Sequence, residues 1–392
     1  MADLANLALE SDPYPIYRML REWGRVFWVE QLGHWMITGH REALAVFRHP
    51  GFSSDRSLSD DYELPPGADR PPGGMFVMDP PDHTRLRTLV QQAFTARVVE
   101  GMRPRISAVV DRLLDEAGQR DEVDLMDAFA CPLPAIVLAE LLGIPAEQHR
   151  QFQEWTTTLI ETINPVSHNL VSGDGIVARE QMEAYLTTTI EERRRQPRDD
   201  LISALVRAEQ AGDRMSSYEL LEMCLLLTIA GLETTANLIG NGTHALLNHP
   251  DQLARLRAEP GLIGSAVEEL LRYDSPIQAS GRIPKEDIDF EGHVMRKGRA
   301  IGVLVGAANR DPEAFPDPDR LDIARTPNNH LGFGRGIHFC LGAPLARLEG
   351  ALALSALAER FPRIAPAGAA KRRSNVHVRG FLALPVSLGP HA

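Results

Sequence analysis

A glycine-rich segment near the C-terminus, residues 331–347, carries the side chain best suited to chemistry, Cys340. Its sequence is LGFGRGIHFCLGAPLAR, in which three glycines within five residues precede the cysteine and a proline stands in the apolar run after it. This pattern predicts a strained loop that leads into a helix. Cys340 would then lie at a helix N-terminus, where free N–H groups and the helix dipole favour the thiolate form that binds metals. An iron ligand is one interpretation.

Two other interpretations of Cys340 stay open. The side chain could be an ordinary buried cysteine in a loop-to-helix turn, since cysteine is among the most buried residue types. It could also be a hydrolase nucleophile with His338 as its base, although an i, i+2 pair in a tight loop points apart. In the metal-binding interpretation, Gly334 and Gly336 take positive φ angles that turn N–H groups toward the sulfur. Gly342 would then let the following helix lie close to a flat cofactor.

A second candidate site lies in the middle of a long predicted helix. Ser216 and Glu219 form a capping box, and the helical pattern runs from there to Pro250, about 30 residues or about 45 Å. The centre of this helix reads AGLETT at residues 230–235. Ala230 and Thr234 are four residues apart and share a face, while Gly231 would leave room for something flat and a small diatomic molecule. The alternative is that Thr234 bonds back to the i−4 carbonyl and that Gly231 is a packing contact.

Two charged patterns on helices complete the set of candidates. His83 and Arg87 are four residues apart on one helix face, as two donors to a single carboxylate would be; a solvated basic face is the alternative. Glu269 and Arg272 are three residues apart and also share a face. Surface pairs of that kind are common and contribute little stability by themselves.

The elements that must position these residues follow from periodicity. Residues 26–38 predict a β-hairpin and residues 40–48 a short helix, and the loop over residues 51–81 is long enough to be a wall of a substrate site. Helical periodicity then dominates from about Asp82 to about Arg272, with breaks that include Asn164-Pro165 and Gly212. Beyond Pro276 strand-like stretches such as residues 299–306 appear, and a last helix follows Cys340. We therefore predict a mostly helical α+β fold.

Composition limits the class of protein. The chain has 392 residues, of which 44% are hydrophobic and 24% charged, and its net charge of −12 argues against nucleic acid as a partner. Because no linker, low-complexity tract or repeat divides the sequence, we expect a single domain over residues 1–392. Cys131, Cys224 and Cys340 are far apart and odd in number, which fits a reducing cytoplasm.

The sequence also lacks the usual signals for export or membrane insertion. The N-terminus carries Asp3 and Glu10 in place of a basic region followed by an apolar core, so it is not typical of a signal peptide. The most apolar run, residues 223–232, is about half the roughly 20 residues that a membrane span needs. We expect a soluble, cytoplasmic protein.

The pattern Phe-x-x-Gly-x-His-x-Cys-x-Gly, formed here by Phe333, Gly336, His338, Cys340 and Gly342, resembles the haem-binding loop of the cytochrome P450 family. The resemblance implies a cytochrome P450 fold with a long central helix over haem b. It implies that the Cys340 thiolate ligates the haem iron and favours O–O cleavage by donating electron density.

Further motifs of this family occur in the same order along the chain. The resemblance implies that Thr234 hydrogen-bonds the bound oxygen and that Glu233 relays protons to it, with Glu standing where many members have Asp. It implies that Glu269 and Arg272 form a buried structural pair completed by a second arginine, either Arg320 or Arg325. The residues implied to contact the haem ring or its propionates are His83, Arg87, Arg282, His338, Phe333, Gly336 and Ala230.

The implied activity is that of a monooxygenase, which inserts one atom of O2 into an apolar small molecule by hydroxylation or epoxidation. The sequence is similar to soluble bacterial members that oxidise macrolides, other secondary metabolites or fatty acyl chains. Such enzymes take electrons from a ferredoxin and a ferredoxin reductase. A peroxide-driven peroxygenase and a non-enzymatic haem gas sensor or carrier remain as alternatives, although Glu233 and Thr234 would have little use in either.

A basic segment offers a surface for the acidic ferredoxin. Between Thr84 and Arg112 six arginines face two acids, which is a local surplus of four positive charges in an acidic protein. Such a patch can steer an acidic partner; a helix pair with ordinary surface arginines is the alternative. The arginines are Arg85, Arg87, Arg97, Arg103, Arg105 and Arg112, and the acids are Glu100 and Asp111.

Overall fold

Helices make up most of the structure, a computed structural model that describes residues 12–63, 71, 73–162, 173–210 and 215–389. Short 3-10 turns, such as those at Arg56–Leu58 and Gly74–Val77, punctuate the loop that follows the second helix. The α-helices are α1 Tyr14–Trp23, α2 His40–Arg48, α3 Asp82–Val90, α4 Ala96–Gly101, α5 Arg103–Ala117, α6 Pro132–Leu142, α7 His149–Thr162, α8 Gly173–Arg195, α9 Leu201–Gln210, α10 Ser217–Asn248, α11 Pro250–Ala258, α12 Ile263–Tyr273, α13 Val305–Ala308 and α14 Ala343–Arg360.

The strands form small sheets beside the helices. They are β1 Val26–Val29, β2 His34–Ile37, β3 Phe52–Ser53, β4 Glu122–Asp124, β5 Ala279–Pro284, β6 Ile288–Phe290, β7 His293–Met295, β8 Ile301–Leu304, β9 Ala365–Pro366, β10 Lys371–Arg372, β11 Phe381–Ala383 and β12 Pro385–Ser387. The five-stranded sheet has the order β1-β2-β8-β5-β3, and β4-β12-β9 form a three-stranded sheet. Strands β10 and β11 pair to make what we call the C-terminal hairpin, residues 371–383.

Helix α10 is the central element. It begins with the expected capping box, in which the Ser216 hydroxyl accepts from the Glu219 N–H and the Glu219 carboxylate accepts from the Ser216 N–H. Helices α6, α7, α8, α12 and α14 all pack against it. By length and composition α10 could cross a membrane, yet 72% of its most apolar window is buried inside the protein, as in the core helix of a soluble protein.

Most local predictions agree with the described elements. The hairpin at residues 26–38 is formed by β1 and β2, with Gly33 at φ 63° in the turn, and α2 covers the predicted residues 40–48. The strand prediction for residues 299–306 is partly wrong, because Val305 and Gly306 begin α13. At Gly306 the backbone lies against Gln278, the residue before β5, and the Gly306 N–H donates to the Gln278 carbonyl at 3.1 Å. The helix breaks at Asn164-Pro165 and Gly212 lie outside the described residues.

The Glu269–Arg272 pair is a buried structural ion pair. Both side chains are inaccessible to solvent, and Arg272 donates to Glu269 through Nε and Nη2 at 2.7 and 2.9 Å. Arg325 completes the cluster, since its Nε lies 3.1 Å from each Glu269 oxygen. Arg320 contributes only its carbonyl oxygen, which accepts from Arg272 at 3.1 Å. The choice that the sequence left open is thus resolved in favour of Arg325.

Candidate functional site

The Cys340 loop has the predicted strained backbone. Gly334 and Gly336 have φ angles of 66° and 75°, in the left-handed region that favours glycine. A Cβ at Gly336 would also overlap the carbonyl oxygen of Phe47, so a side chain has no room there. The loop closes on itself where the Cys340 N–H donates to the Phe333 carbonyl at 2.9 Å. This closure leads directly into α14.

Opposing effects act on the pKa of the Cys340 thiol. The N–H groups of Gly342 and Ala343 and the charges of Arg87 and Arg347 all lower the pKa of the Cys340 thiol, as a helix N-terminus should. Burial is the larger effect, however, and it raises the pKa overall. In the absence of a metal, desolvation therefore favours the neutral thiol, and the thiolate iron ligand stays a prediction. A bound metal cation would have to replace the proton.

The middle of α10 presents an open face within an otherwise buried helix. Ala230 is exposed and Thr234 is half-buried, although their neighbours Leu232, Glu233 and Thr235 are buried. Ala230 and Thr234 share a face, as predicted. Because a core helix exposes residues only where it borders a space, this face borders open space, which we call the chamber. A Cβ at Gly342 likewise would meet no protein atom within 4 Å, which leaves space for a flat group beside α14.

Gly231 has a packing role. A Cβ at this position would come 3.0 Å from Cδ2 of Leu138 on α6. The hypothesis that Gly231 leaves room for a flat group and a diatomic molecule is therefore not supported, because its open side faces a neighbouring helix. The absence of a side chain lets α10 and α6 approach closely.

The two polar residues at the centre of α10 have different surroundings. The Thr234 hydroxyl donates to the Ala230 carbonyl at 2.7 Å, which is the back-bonded geometry considered above, and its lone pairs can still accept. Glu233 points into the protein, where its Oε1 lies 2.9 Å from Nε of Arg373, and both side chains are buried. A charged residue from the C-terminal hairpin region thus pairs with Glu233.

Four basic side chains gather near the Cys340 loop without a carboxylate partner among the described residues. His83 is buried, and neither of its ring nitrogens has a hydrogen-bond partner there; the same is true of Nε2 of His338. Arg87 donates to the Phe339 carbonyl at 2.7 Å. Arg282 is buried and bonds only the Ser280 hydroxyl and the Gly281 carbonyl in the described chain.

The pKa values of this basic group reflect burial first and, at the two histidines, neighbouring positive charge second. Burial lowers the pKa of Arg282 to about 10. Burial, followed by the charges of Arg282, His83 and Arg87, lowers the pKa of His338 to about 3. The charge of Asp79 raises the pKa of His83 and of Arg282, but by less than burial lowers it. Asp79 makes no hydrogen bond to either side chain among the described residues. Buried cations normally have partners, so this group fits an anionic ligand such as the two propionates of haem.

The remaining predicted ring contacts fit the same picture. Phe333 is buried, and the Arg347 guanidinium lies 4.6 Å from its ring centroid, so the side chain is held by a cation–π contact. Gly336 lies in the strained loop described above. The residues present therefore match a flat, dianionic cofactor with one sulfur ligand.

The basic segment at residues 84–112 is less positive than its sequence indicates. Arg85 pairs with Asp82 and Glu219, and Arg87 points inward to the loop. Three other arginines of the segment pair with acids: Arg103 with Glu100, Arg105 with Glu140 and Arg112 with Glu116. Of these acids, Glu140 and Glu116 lie outside the segment. Arg97 is left exposed, with no ion pair recorded in the described residues. Most of the apparent surplus of four charges is thus neutralised in the fold.

Sequence reasoning missed Arg373 as a partner for Glu233. The two residues are far apart in the chain, and no periodicity links them. The run Lys371-Arg372-Arg373 was the available signal, since consecutive cations in an acidic protein often have a nearby carboxylate. Only the packing of the C-terminal hairpin on α10 identifies which carboxylate that is.

Comparisons with known proteins agree with this site. The family model described as Cytochrome P450 matches residues 17–387. The chain is 48% identical over 318 residues to the polyketide biosynthesis cytochrome P450 PksS of Bacillus subtilis, a match that covers 80% of this chain and 77% of that protein. It is 44% identical over 388 residues to the cytochrome P450 monooxygenase PikC of Streptomyces venezuelae, with 96% and 91% covered. The ligand-free crystal structure of CYP164A2 from Mycobacterium smegmatis has a TM-score of 0.92 at 39% identity, with 98% of each chain covered.

Proposed function

The chain belongs to the cytochrome P450 family, and from this premise we propose that Cys340 is the residue that binds its haem iron. The protein is a haem b-dependent monooxygenase that acts on an apolar small molecule with O2. The haem activates O2 and transfers one oxygen atom when it is bound.

The observation that carries the assignment is the group of basic side chains without a carboxylate. His83, Arg87, Arg282 and His338 come from three separate parts of the chain and meet beside the Cys340 loop. Two propionates would supply the negative charge that these buried and half-buried side chains lack. Phe333, Gly336 and Ala230 would then contact the ring. These four side chains would hold the propionates, and Cys340 would bind the iron.

Thr234 and Glu233 are proposed to deliver protons in the chamber beside α10. The Thr234 hydroxyl already donates to the Ala230 carbonyl, so its lone pairs are free to accept from a water molecule and hold it in place. Glu233 is the nearest acid along the helix and can supply the proton to that water. The open Ala230 face of α10 leaves space for a substrate beside these two residues.

We also propose the partners and setting of the reaction. The relatives named above include an enzyme of polyketide biosynthesis and a monooxygenase, which supports a secondary metabolite, such as a macrolide or an acyl chain, as substrate. Electrons would come from a ferredoxin and its reductase in the cytoplasm. Arg97 and Arg335 are candidates for docking the acidic partner. Arg335 lies close to Cys340 in the chain, and its bonding in the described residues is to a backbone carbonyl.

The test is the substitution Cys340→Ser. The wild-type protein is expected to give the reduced-CO absorption band that is diagnostic of thiolate-ligated haem, and the Cys340→Ser variant is expected to lose it, because a neutral oxygen cannot donate the same charge to iron. Cys131→Ser is the matched control, since Cys131 is also partly buried against the core. A Cys340→Ser protein that keeps the band would remove Cys340 from the proposal.

A further inference from the structure

A buried polar face of α10 leads away from the catalytic chamber. Glu233, Asn237 and Asn241 follow one another at intervals of four residues and therefore share one side of the helix. All three are buried. Polar side chains inside a core destabilise the fold unless they are paired, so a face of this kind in the central helix indicates a use for it.

The C-terminal hairpin covers this face and pairs with both of its ends. At the inner end, Arg373 Nε lies 2.9 Å from Oε1 of Glu233. At the outer end, Arg372 Nη1 donates to Oδ1 of Asn241 at 2.8 Å, and Nδ2 of Asn241 donates to the Arg379 carbonyl at 3.0 Å. Arg372 and Arg373, which are consecutive in the hairpin, thus contact Asn241 and Glu233 of α10. These two residues are eight positions, or about 12 Å, apart along the helix.

Asn237 occupies the middle of the face. Its side chain is fully buried, and neither its amide nitrogen nor its amide oxygen has a hydrogen-bond partner in the described part of the chain. A Cβ at Gly380 would overlap this amide, so the hairpin backbone passes directly over it. Buried side-chain amides without a protein partner are normally satisfied by an ordered water molecule. Asn237 is therefore suited to hold water between the two paired ends.

The outer end of the face opens into a cavity. This cavity has a volume of about 610 Å³, and Arg372, Arg379 and His244 are among the residues that line it. Because Asn241 bonds both Arg372 and the Arg379 backbone, the cavity adjoins the outer end of the polar face. A chain of polar groups thus runs from the cavity, past Asn241 and Asn237, to Glu233.

We infer that Arg373 is a positioning residue for Glu233, and that protons reach Glu233 along this polar face from the cavity beside the C-terminal hairpin. The inference rests on the proposed role of Glu233 in proton delivery. Each cycle moves one proton through Glu233 and involves no change of oxidation state. The Glu233 carboxylate takes a proton from water at Asn237, loosens its contact with Arg373, and donates the proton to the water held by Thr234. The ionised carboxylate then returns to Arg373.

Arg373 is suited to this task by its fixed charge. A carboxyl group buried without a cation stays protonated, because desolvation disfavours its charged form. A guanidinium remains charged in proteins and therefore keeps a buried carboxylate ionised and ready to accept a proton. Because Arg373 belongs to the C-terminal hairpin, which covers Asn237, it also holds the resting Glu233 carboxylate on the Asn237 side of α10.

The first test compares Arg373→Gln, Arg373→Lys and the control Lys371→Gln, which changes an exposed cation on the same hairpin. The measurement is product formed per NADH consumed, across a pH range. Arg373→Gln is expected to lower this coupling at least tenfold; the loss of a general acid or base typically lowers a rate roughly 10²–10⁴-fold. The pH dependence of the coupling should change as well. Arg373→Lys should recover most of the coupling, and Lys371→Gln should match wild type.

A second readout does not depend on turnover. Infrared difference spectra of the resting enzyme in H2O and D2O report protonated carboxyl groups. Arg373→Gln is expected to add one such band, because the guanidinium 2.9 Å from Glu233 is removed, and the double substitution Glu233→Gln with Arg373→Gln should remove the band. The double variant also has no buried unpaired charge, so it tests the assignment if Arg373→Gln alone fails to fold.

The path itself is tested by Asn237→Leu, which replaces the amide with an apolar side chain of similar size. Its coupling should fall and its solvent deuterium isotope effect on product formation should rise, while substrate binding stays unchanged. The inference would be overturned if Asn237→Leu kept the coupling and the isotope effect of wild type. It would also be overturned if Arg373→Gln kept wild-type coupling and showed no new carboxyl band. If Glu233→Gln and Thr234→Ala are themselves fully coupled, the proposed proton-delivery function has failed. If they uncouple and the Arg373 and Asn237 variants do not, only the present inference has failed.

Discussion

The imidazole rings of His83 and His338 lie with their centroids 4.3 Å apart and their planes at 54°. His83 belongs to the first turn of α3, whereas His338 belongs to the loop just before Cys340. Arg87 lowers the pKa of both rings. A buried and a half-buried imidazole this close, with an arginine beside them, form a compact donor group that suits the carboxylate end of a cofactor.

Removing one donor from this group should weaken haem retention. Arg87→Ala and His83→Ala each leave a propionate without a charge-assisted hydrogen bond worth about 1.5–3 kcal/mol, which corresponds to roughly a 10- to 150-fold loss of affinity. The measurement is the rate of haem transfer to an excess of an apoprotein acceptor. Arg97→Ala on the exposed side of α4 is the control. Unchanged haem occupancy and loss rate in both variants would make α3 an ordinary basic helix.

Thr234→Ala should uncouple electron transfer from product formation. The variant is expected to bind haem and substrate and to consume NADH, since none of these steps needs the hydroxyl. Without a group that holds the proton-donating water, electrons should appear as hydrogen peroxide, with product formation lowered on the order of 10²–10⁴-fold. Product and peroxide are counted in the same reaction. Coupling equal to wild type would leave Thr234 as a helix hydroxyl bonded to Ala230, or would mean that the substrate supplies the hydroxyl itself.

The two arginines near Glu269 should differ in their effect on stability. Arg325→Gln removes a charged donor from a fully buried carboxylate that still has Arg272, so the free energy of unfolding should fall by about 1.5–3 kcal/mol. Arg320→Gln changes an exposed side chain whose carbonyl oxygen is the part that bonds Arg272, and it should stay within about 0.5 kcal/mol of wild type. Denaturant unfolding of both variants measures the difference. Equal destabilisation would contradict the assignment of Arg325.

Glu349 should make the protein less stable as pH rises. This side chain on α14 is buried, its Oε2 has no hydrogen-bond partner among the described residues, and burial raises its pKa to about 8 from 4.5. The folded state therefore holds a proton that the unfolded state has lost between about pH 4.5 and 8, so stability falls through that window by roughly 1.4 kcal/mol per pH unit.

Glu349→Gln cannot ionise and should escape this loss. Its free energy of unfolding, compared with that of wild type from pH 5 to 8, should show a growing advantage for the variant. A Glu349→Gln protein whose stability runs parallel to wild type across that range would mean that the carboxyl finds a partner in the folded state.

The sequence by itself determined the features that depend on neighbouring residues. The capping box of α10, the positive φ angles of Gly334 and Gly336, and the shared faces of His83 with Arg87 and of Ala230 with Thr234 all follow from local hydrogen bonding and helical geometry. The spacing around Cys340 was specific enough to indicate the family. These signals extend over a few residues, so they need no knowledge of the rest of the chain.

Only the tertiary structure decided which distant groups meet. It selected Arg325 over Arg320, paired Glu233 with Arg373, turned Gly231 toward Leu138, and supplied acids that neutralise most of the basic segment. It also desolvated the partly buried Cys340 thiol enough to raise its pKa. Charge pairing, close packing and desolvation depend on what lies across the fold within a few ångströms, and residues far apart in the chain carry no local pattern that records it.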